Sequence, residues 1–373
     1  MATKSSLIGA SLRLFCIFQT LLLTLIGSAN AEDFPALNGS VVLELNNRTT
    51  WVGPNRAQRD DLYLFAEANT ALQLTESWLI RAIVTLEPLI DPYPYKNRAF
   101  EDEDVRWKDV FIQYDNGVAG FRGGRITADF GFAWYGAPGL EATTLAEDYA
   151  VWDRMGASGW YRLQSDIFGS TTVSASMYSL DTSLFSASWL NTRQQKTASR
   201  GGPSNTDSPT SFAVALYGTD IPKLPGLSWQ LALLRQQVDF VTDSSGQRVY
   251  SVADEKGASA NLQQRIAFDN GIDSTTVGEV VYLKDKGGIP GASGRYLIVG
   301  ETLRYGRWRA QTALTTRWLD GASADSSRDR LFALTAGYDF TDRWSCDAVW
   351  RQAKVFGETA DSVRVRLRYQ LPF

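Results

Sequence analysis

The connections between the predicted strands constrain the fold of this chain more than any single motif. Sixteen segments read as strands, and the connections between them are alternately short and long. The predicted strands are 40–48, 62–72, 76–87, 105–115, 118–128, 154–164, 169–180, 210–219, 227–238, 257–268, 274–284, 295–305, 307–318, 330–340, 343–353 and 362–373. The predicted long connections are 49–61, 88–104, 129–153, 181–209, 239–256, 285–294, 319–329 and 354–361.

This sorting of connection lengths is typical of a transmembrane β-barrel, which has short periplasmic turns and longer external loops. A β-sandwich or a propeller has no physical reason to sort its loops in this way. The segments also match the length of about 9–11 residues that a tilted strand needs to cross a bilayer. The sequence therefore predicts an all-β, antiparallel transmembrane barrel of about sixteen strands, with both chain termini on the short-turn side.

The last strand shows the expected alternation most clearly. Its apolar positions are Val363, Val365, Leu367, Tyr369, Leu371 and Phe373, and its polar positions are Ser362, Arg364, Arg366, Arg368 and Gln370. Successive side chains of a strand point to opposite faces, so one face is apolar and the other is cationic. In a membrane barrel the apolar face contacts lipid and the arginines face the lumen.

The first 31 residues read as a secretory signal peptide. Lys4 and Arg13 are its positive residues, the apolar run is 14–26, and Ala29-Asn30-Ala31 is a small-residue cleavage site. We therefore expect a cleaved signal at 1–31 and a mature barrel domain at 32–373.

Composition excludes several function classes. Removing Lys4 and Arg13, with no acidic residue, leaves 35 basic against 41 acidic residues, a net charge of −6 that does not favour nucleic acid as a partner. Histidine is absent, which removes His-based triads and His metal ligands. Cys346 is the only cysteine outside the signal, so no intrachain disulfide can form. We expect no catalytic residue, no metal and no cofactor.

The terminal Phe373 resembles the C-terminal signature of Gram-negative outer-membrane barrels. In that family the last strand closes the barrel and carries the signal for assembly. The resemblance implies outer-membrane lipid and lipopolysaccharide as surroundings and the barrel assembly machinery as a partner, through Phe373.

The predicted connection 129–153 differs from the other long loops because it carries structural and acidic residues. It begins with Asp129-Phe130-Gly131, which resembles the acidic-Phe-Gly sequence in the third external loop of general diffusion porins. In that family this loop folds into the barrel and narrows it, and its acidic residues face arginines on the opposite wall. The resemblance implies an acidic side of the constriction at Asp129, Glu141, Glu147, Asp148 and Asp153.

The resemblance also implies a basic pore wall. The candidate residues, taken from inward parity or from their place just before the loop, are Arg81, Arg122, Arg125, Arg162, Arg364, Arg366 and Arg368. Opposed rows of charge create a field across a water-filled constriction and filter polar solutes. The alternative interpretation is that these acids and arginines form structural ion pairs that hold the loop against the wall, and the two interpretations are compatible.

Aromatic residues mark the predicted membrane interfaces. Trp308 and Trp318 share one face of a strand, ten positions apart, which places them about 26 Å apart along the membrane normal at about 3.4 Å per residue and a tilt of about 40°. The apolar band of such barrels is about 25 Å tall. The predicted aromatic girdle comprises Trp78, Trp308, Trp318, Trp344, Trp350, Tyr369 and Phe373. On one strand alone, two indoles packed in a soluble core would explain the pattern equally well.

Three predicted strands, 62–72, 274–284 and 295–305, have no clear apolar face. Glu301 shares its parity with Leu297, Val299 and Leu303. Either a β-bulge changes the faces or one of these strands faces a neighbouring subunit.

The resemblance to general diffusion porins implies a homotrimer in the outer membrane of a Gram-negative cell. It implies a water-filled channel for passive diffusion of ions and small hydrophilic solutes. A substrate-selective channel, for example for anions along the arginines of the last strand, is one alternative. A structural barrel with a plugged lumen is another, and the absence of histidine makes an outer-membrane enzyme the weakest.

Overall fold

The structure is a computed structural model that describes residues 34–53, 57–90, 92, 96–190, 192–200, 202–242, 246–249, 252–321 and 326–373. The predicted signal peptide 1–31 lies outside the described residues, and its cleavage stays a prediction.

Sixteen long strands form one antiparallel sheet in the described part of the chain. They are β1 (Ala36–Val52), β2 (Ala57–Gln73), β3 (Trp78–Pro88), β4 (Glu103–Asp115), β5 (Ala119–Ile126), β6 (Arg154–Ser165), β7 (Gly169–Leu180), β8 (Ser211–Thr219), β9 (Leu227–Gln236), β10 (Glu255–Ala267), β11 (Ile272–Lys284), β12 (Ser293–Tyr305), β13 (Trp308–Asp320), β14 (Ser327–Asp339), β15 (Trp344–Val355) and β16 (Glu358–Pro372). Each strand pairs with its neighbours in sequence, and β1 pairs with β16 from Ser40↔Pro372 to Val52↔Ala360, which closes the barrel. The predicted fold class and strand count are confirmed.

Side-chain exposure alternates along the strands, as the parity argument requires. On β15, Trp344, Ala348 and Trp350 are exposed, whereas Asp347 and Val349 between them are buried. The outward residues form an apolar belt around a barrel whose inward face carries most of the charged side chains.

The strict alternation of loop lengths is wrong at two connections. β1 ends only at Val52 and β2 begins already at Ala57. β15 and β16 are joined by the two-residue turn Phe356-Gly357. The expected long loops 49–61 and 354–361 are mostly strand, because these two hairpins keep their backbone pairing beyond the apolar band. The direction of every strand and the end at which each connection lies are as predicted.

Helical structure is confined to single turns in the described residues. They are α1 (Ala133–Gly136) and 3-10 turns at Ala146–Tyr149, Leu184–Ser186, Ala198–Arg200 and Lys286–Gly288. None of the helices in the described ranges has the length and apolarity to cross a membrane.

The wall above the short strand β5 is completed by the connection between β7 and β8, here called loop 4 (181–210). β5 pairs with β4 only up to Val110↔Arg125, which leaves the other half of β4 paired with β3 on one edge and without a strand neighbour on the other. Loop 4 takes that place: Ser188 forms a β-bridge with Arg106, and the Trp189 N–H donates to the Val105 carbonyl at 2.9 Å. Loop 4 therefore covers the backbone groups that the short strand leaves open.

Candidate functional site: loop 3 and the inner wall

The connection between β5 and β6, here called loop 3 (127–153), lies inside the barrel. The backbone N–H groups of Phe132 and Ala133 donate to Glu279 Oε2 on β11 at 2.6 and 3.0 Å. The Tyr149 hydroxyl donates to the other carboxylate oxygen of Glu279 at 2.5 Å. Glu279 is 2% exposed, so one buried carboxylate holds both arms of the loop against the wall.

Loop 3 also packs through an apolar core within the barrel. Its buried residues Ala128, Phe130, Ala133, Ala137, Ala142, Ala146, Tyr149 and Val151 contact inward residues of β7 to β13. Small side chains on the wall make room for the loop. At Gly300 on β12, an added Cβ would lie 2.5 Å from the ring of Pro138. Burial of this apolar surface fixes the loop on one side of the interior.

The carboxylate of Glu141, near the middle of loop 3, is bound by three guanidinium groups from three strands. They belong to Arg48 on β1 at 3.1 Å, Arg351 on β15 at 2.8 Å and Arg364 on β16 at 3.4 Å. Burial alone would raise the pKa of Glu141, but the three positive charges outweigh it and lower that pKa to about 2. Glu141 therefore joins the loop to the wall at the seam where the barrel closes.

The ion pairs continue from Glu141 down the inner face of β16. Arg366 binds Glu44 and Asp347, both at 2.8 Å, and Arg368 lies 3.6 Å from Glu44. The connected network, here called the arginine wall, contains six guanidinium groups and four carboxylates. Its members are Arg48, Arg309, Arg351, Arg364, Arg366, Arg368, Glu44, Glu141, Asp339 and Asp347. The excess of arginine gives this wall a net positive charge.

Three other acids of loop 3 are less enclosed. Asp148 binds Arg317 on β13 at 2.6 Å and accepts from the Tyr296 hydroxyl at 3.1 Å. Asp129 lies 3.5 Å from Arg122 and accepts from the Ser174 hydroxyl at 2.9 Å.

Glu147 is exposed, with a hydrogen bond from the Thr143 hydroxyl at 2.9 Å. Its pKa is raised, first because its partly enclosed surroundings disfavour the charge and further by the nearby carboxylates of Glu87 and Asp148. Glu147 is thus neutralised at a higher pH than an ordinary glutamate.

Arg125 and Asp153 are wrongly predicted as pore-lining residues. Arg125 is 1% exposed, and it binds Asp153 at 2.5 Å and also Asp181. Its neighbours in register, Val110 and Met155, belong to the outward face, so the side chain lies under loop 4 instead of in the lumen. Arg193 and Lys196 of loop 4 complete the cluster around Asp153, each at 2.9 Å.

Arg81 and Arg162 face inward as expected but contact no loop 3 acid among the described residues. Arg81 donates to the Asn69 amide oxygen at 3.0 Å. Arg162 forms a two-pronged ion pair with Asp115, both distances 2.7 Å, beside the short turn 116–118. The alternative interpretation, in which the arginines form ion pairs that hold loop 3 against the wall, therefore does not apply to Arg81 or Arg162 among the described residues. Their part in solute passage stays a prediction, as does that of the other candidates.

Sequence reasoning missed Glu279, Glu44 and Arg48. Each has inward parity on its strand, which was a usable signal. Parity alone does not reveal which inward residues a long loop will contact, because that depends on the path of the loop.

The predicted girdle residues face outward. Trp308 is 61% exposed, Trp344 stacks on Tyr369 with ring centroids 4.8 Å apart, and Trp78 contacts Tyr114 at 5.1 Å. Phe373 and Gly39 exchange two backbone hydrogen bonds, at 2.8 and 3.0 Å, which end the β1–β16 seam.

Glu301 also faces outward, and no β-bulge causes this. β12 pairs with both neighbours in unbroken register. The carboxylate accepts hydroxyl hydrogen bonds from Ser274 and Thr276 on β11, both at 2.5 Å. The bulge alternative is excluded here, and a neighbouring subunit at this face stays a prediction.

Comparison of the sequence with protein-family profiles and with curated proteins finds no match. Comparison of the fold with solved structures finds outer-membrane proteins. The outer-membrane channel DcaP of Acinetobacter baumannii is 10% identical at a TM-score of 0.55, over 90% of this chain and 96% of that chain. The trimer form of OmpT, an outer membrane protein of Vibrio cholerae, is 12% identical at 0.52, over 90% and 100%. Pseudomonas aeruginosa OpdK, solved with vanillate, is 9% identical at 0.51, over 90% and 99%.

At these identities the likeness establishes the fold alone. A closed sixteen-strand barrel with an outward apolar belt and aromatic residues on that face is suited to a bilayer and not to water. The chain therefore has the fold of the Gram-negative outer-membrane porins and is a protein of that membrane.

Proposed function

We propose that the protein is a passive channel for ions and small hydrophilic solutes. The observation that carries this proposal is the partial solvent exposure of the charged side chains on the inner face of β2 to β5. Glu67, Lys108 and Arg122 face inward and keep 24%, 36% and 22% of their side-chain surface exposed. The apolar residues of loop 3 pack against β7 to β15, so this opposite part of the wall faces solvent inside the barrel. The proposal involves no catalytic step and no cofactor.

Within this proposal, the arginine wall makes the channel favour anions. Six guanidinium groups against four carboxylates leave a positive field along β16, and guanidinium stays charged even when it is clustered. In a narrow, low-dielectric interior such a field raises the local concentration of solutes of opposite sign. OpdK, a barrel of the same fold, was solved with vanillate, an aromatic carboxylate, which supports an anionic solute.

The channel proposal includes three further interactions: with copies of the same chain, with lipid and lipopolysaccharide, and with the barrel assembly machinery. The trimer form of Vibrio cholerae OmpT, a barrel of the same fold, supports a homotrimer. The outward apolar belt supports contact with outer-membrane lipid and lipopolysaccharide. The terminal Phe373 supports recognition by the barrel assembly machinery, as the resemblance implies.

A structural barrel with a closed lumen is the second candidate. The apolar core between loop 3 and the wall is the observation that favours it, because that core fills part of the interior.

Swelling of liposomes that contain the purified protein separates the two candidates. We expect small neutral sugars to enter slowly and small carboxylates of similar size to enter faster. Liposomes that swell no faster than protein-free liposomes with any solute would overturn the channel and leave the structural barrel.

A further inference from the structure

A cavity of about 330 Å³ lies on the inner wall at the periplasmic end of the barrel. It is bounded by the ends of β12 to β16 and by the two turns at 306–307 and 340–343. Five arginines and two aspartates border it: Arg304, Arg307, Arg309, Arg343, Arg368, Asp339 and Asp342. The lining is therefore cationic.

Three of these guanidinium groups have no carboxylate partner among the described residues. Arg309 binds Asp339 and Asp347, and Arg368 lies 3.6 Å from Glu44. Arg307 donates only to the Phe340 carbonyl, at 2.8 Å. The guanidinium groups of Arg304 and Arg343 form no ion pair or hydrogen bond with any residue that the structure describes. The cavity thus contains three guanidinium groups whose positive charge no described carboxylate neutralises.

We propose that this cavity binds a small organic anion that carries two or more carboxylate or phosphate groups. Guanidinium presents a planar fork of donors that matches either group with two parallel hydrogen bonds. The three unpartnered arginines come from one strand end and two separate turns, so the cavity offers three positive charges to an anion that carries more than one charged group. At about 30 Å³ per water the volume equals roughly eleven waters, which suits a molecule the size of citrate.

The cavity is continuous with the arginine wall. Arg368 and Arg309 belong to both, and Arg364 and Arg366 lead from Arg368 toward Glu141. The proposal rests on the proposed function in one respect, namely that the anion reaches the cavity through the barrel. The site then acts as the last binding position before release into the periplasm.

Citrate binding and citrate block test the site separately. Isothermal titration calorimetry of the detergent-solubilised protein measures citrate binding without requiring transport. Single-channel current in a planar bilayer with known protein orientation measures block, with citrate added to the periplasmic or the external chamber. The test variant is R304Q/R343Q. The matched control is R328Q/R330Q, which removes two exposed arginines from the outward face at the external end of β14.

We expect saturable citrate binding, and block at lower concentration from the periplasmic side. The R304Q/R343Q variant should bind about tenfold or more weakly, whereas the control should bind as the wild type does. Conducting channels without citrate binding would overturn the site and leave the channel intact. Equal loss of binding in both variants would overturn the location, and citrate binding by a protein that does not conduct would support the site while overturning the proposed function.

Discussion

The carboxylate of Glu141 in loop 3 lies 2.8 Å from the guanidinium Nη1 of Arg351 on β15. This ion pair, with Arg48 and Arg364 around the same carboxylate, joins an external loop to the inner wall beside the β1–β16 seam. One buried acid thus links three strands. The structural interpretation of the loop 3 acids therefore describes Glu141, whereas Glu147 forms no ion pair with any residue that the structure describes and accepts one hydroxyl hydrogen bond.

Replacing Glu141 should weaken the barrel and change its selectivity together. In Glu141→Gln, three clustered guanidinium groups lose their shared counter-charge, and removing one partner of a buried ion pair costs about 3–5 kcal/mol. We expect a lower midpoint of urea unfolding in detergent and a shift of the reversal potential toward anions. Glu147→Gln, which removes a more exposed acid, serves as the control and should leave the unfolding midpoint within error.

Glu279 should control how firmly loop 3 is held. Glu279→Ala removes the acceptor for two backbone N–H groups and the Tyr149 hydroxyl, so buried donors lose their partner. Glu279→Gln keeps an oxygen acceptor and should act much more mildly. We expect faster proteolysis within loop 3 and noisier single-channel current for Glu279→Ala. Equal behaviour of the two variants would contradict the anchor.

As the pH falls, the ion selectivity should change before loop 3 detaches from the wall. The pKa of Glu147 is raised, so on acidification it loses its charge above the ordinary value of 4.5 for a glutamate. The pKa of Glu141 is lowered to about 2, so the stability that it contributes is complete above about 4.5 and is lost only as the pH falls through about 2.

The reversal potential should therefore move toward anions in weak acid while the loop stays resistant to protease. Glu147→Gln should abolish most of that movement. A full movement in this variant would mean that another group titrates.

Arg125 and Arg122 lie three positions apart, but their substitution should have different effects. Replacing Arg125 should lower stability without changing ion selectivity, and replacing Arg122 should change selectivity without lowering stability. Arg125→Gln removes the arginine that the buried carboxylates of Asp153 and Asp181 share, so we expect a loss of about 3–5 kcal/mol with unchanged ion selectivity. Arg122→Gln removes a lumen-facing charge, so we expect nearly unchanged stability and reduced anion preference. Unfolding in urea and reversal potentials on both variants provide the comparison.

Much of this fold follows from local rules that a sequence displays. Strand parity assigned Arg364, Arg366 and Arg368 inward and Trp308 and Trp344 outward, because a strand alternates its faces without reference to distant residues. The failures are non-local. Gly124 and the shortened β5 let Arg125 lie under loop 4, and only the covering of that gap by Ser188 and Trp189 explains its burial. The partner of each inward arginine likewise depends on the path of loop 3.

The reversal potential of the wild-type channel in a salt gradient shows directly whether the arginine wall sets the ion selectivity. The arginine wall has an excess of guanidinium, so we expect conducting channels whose reversal potential reports a preference for chloride over potassium. That preference should weaken in Arg364→Gln or Arg366→Gln. A cation preference in the wild type, with an unchanged reversal potential in both variants, would mean that the arginine wall does not set the selectivity.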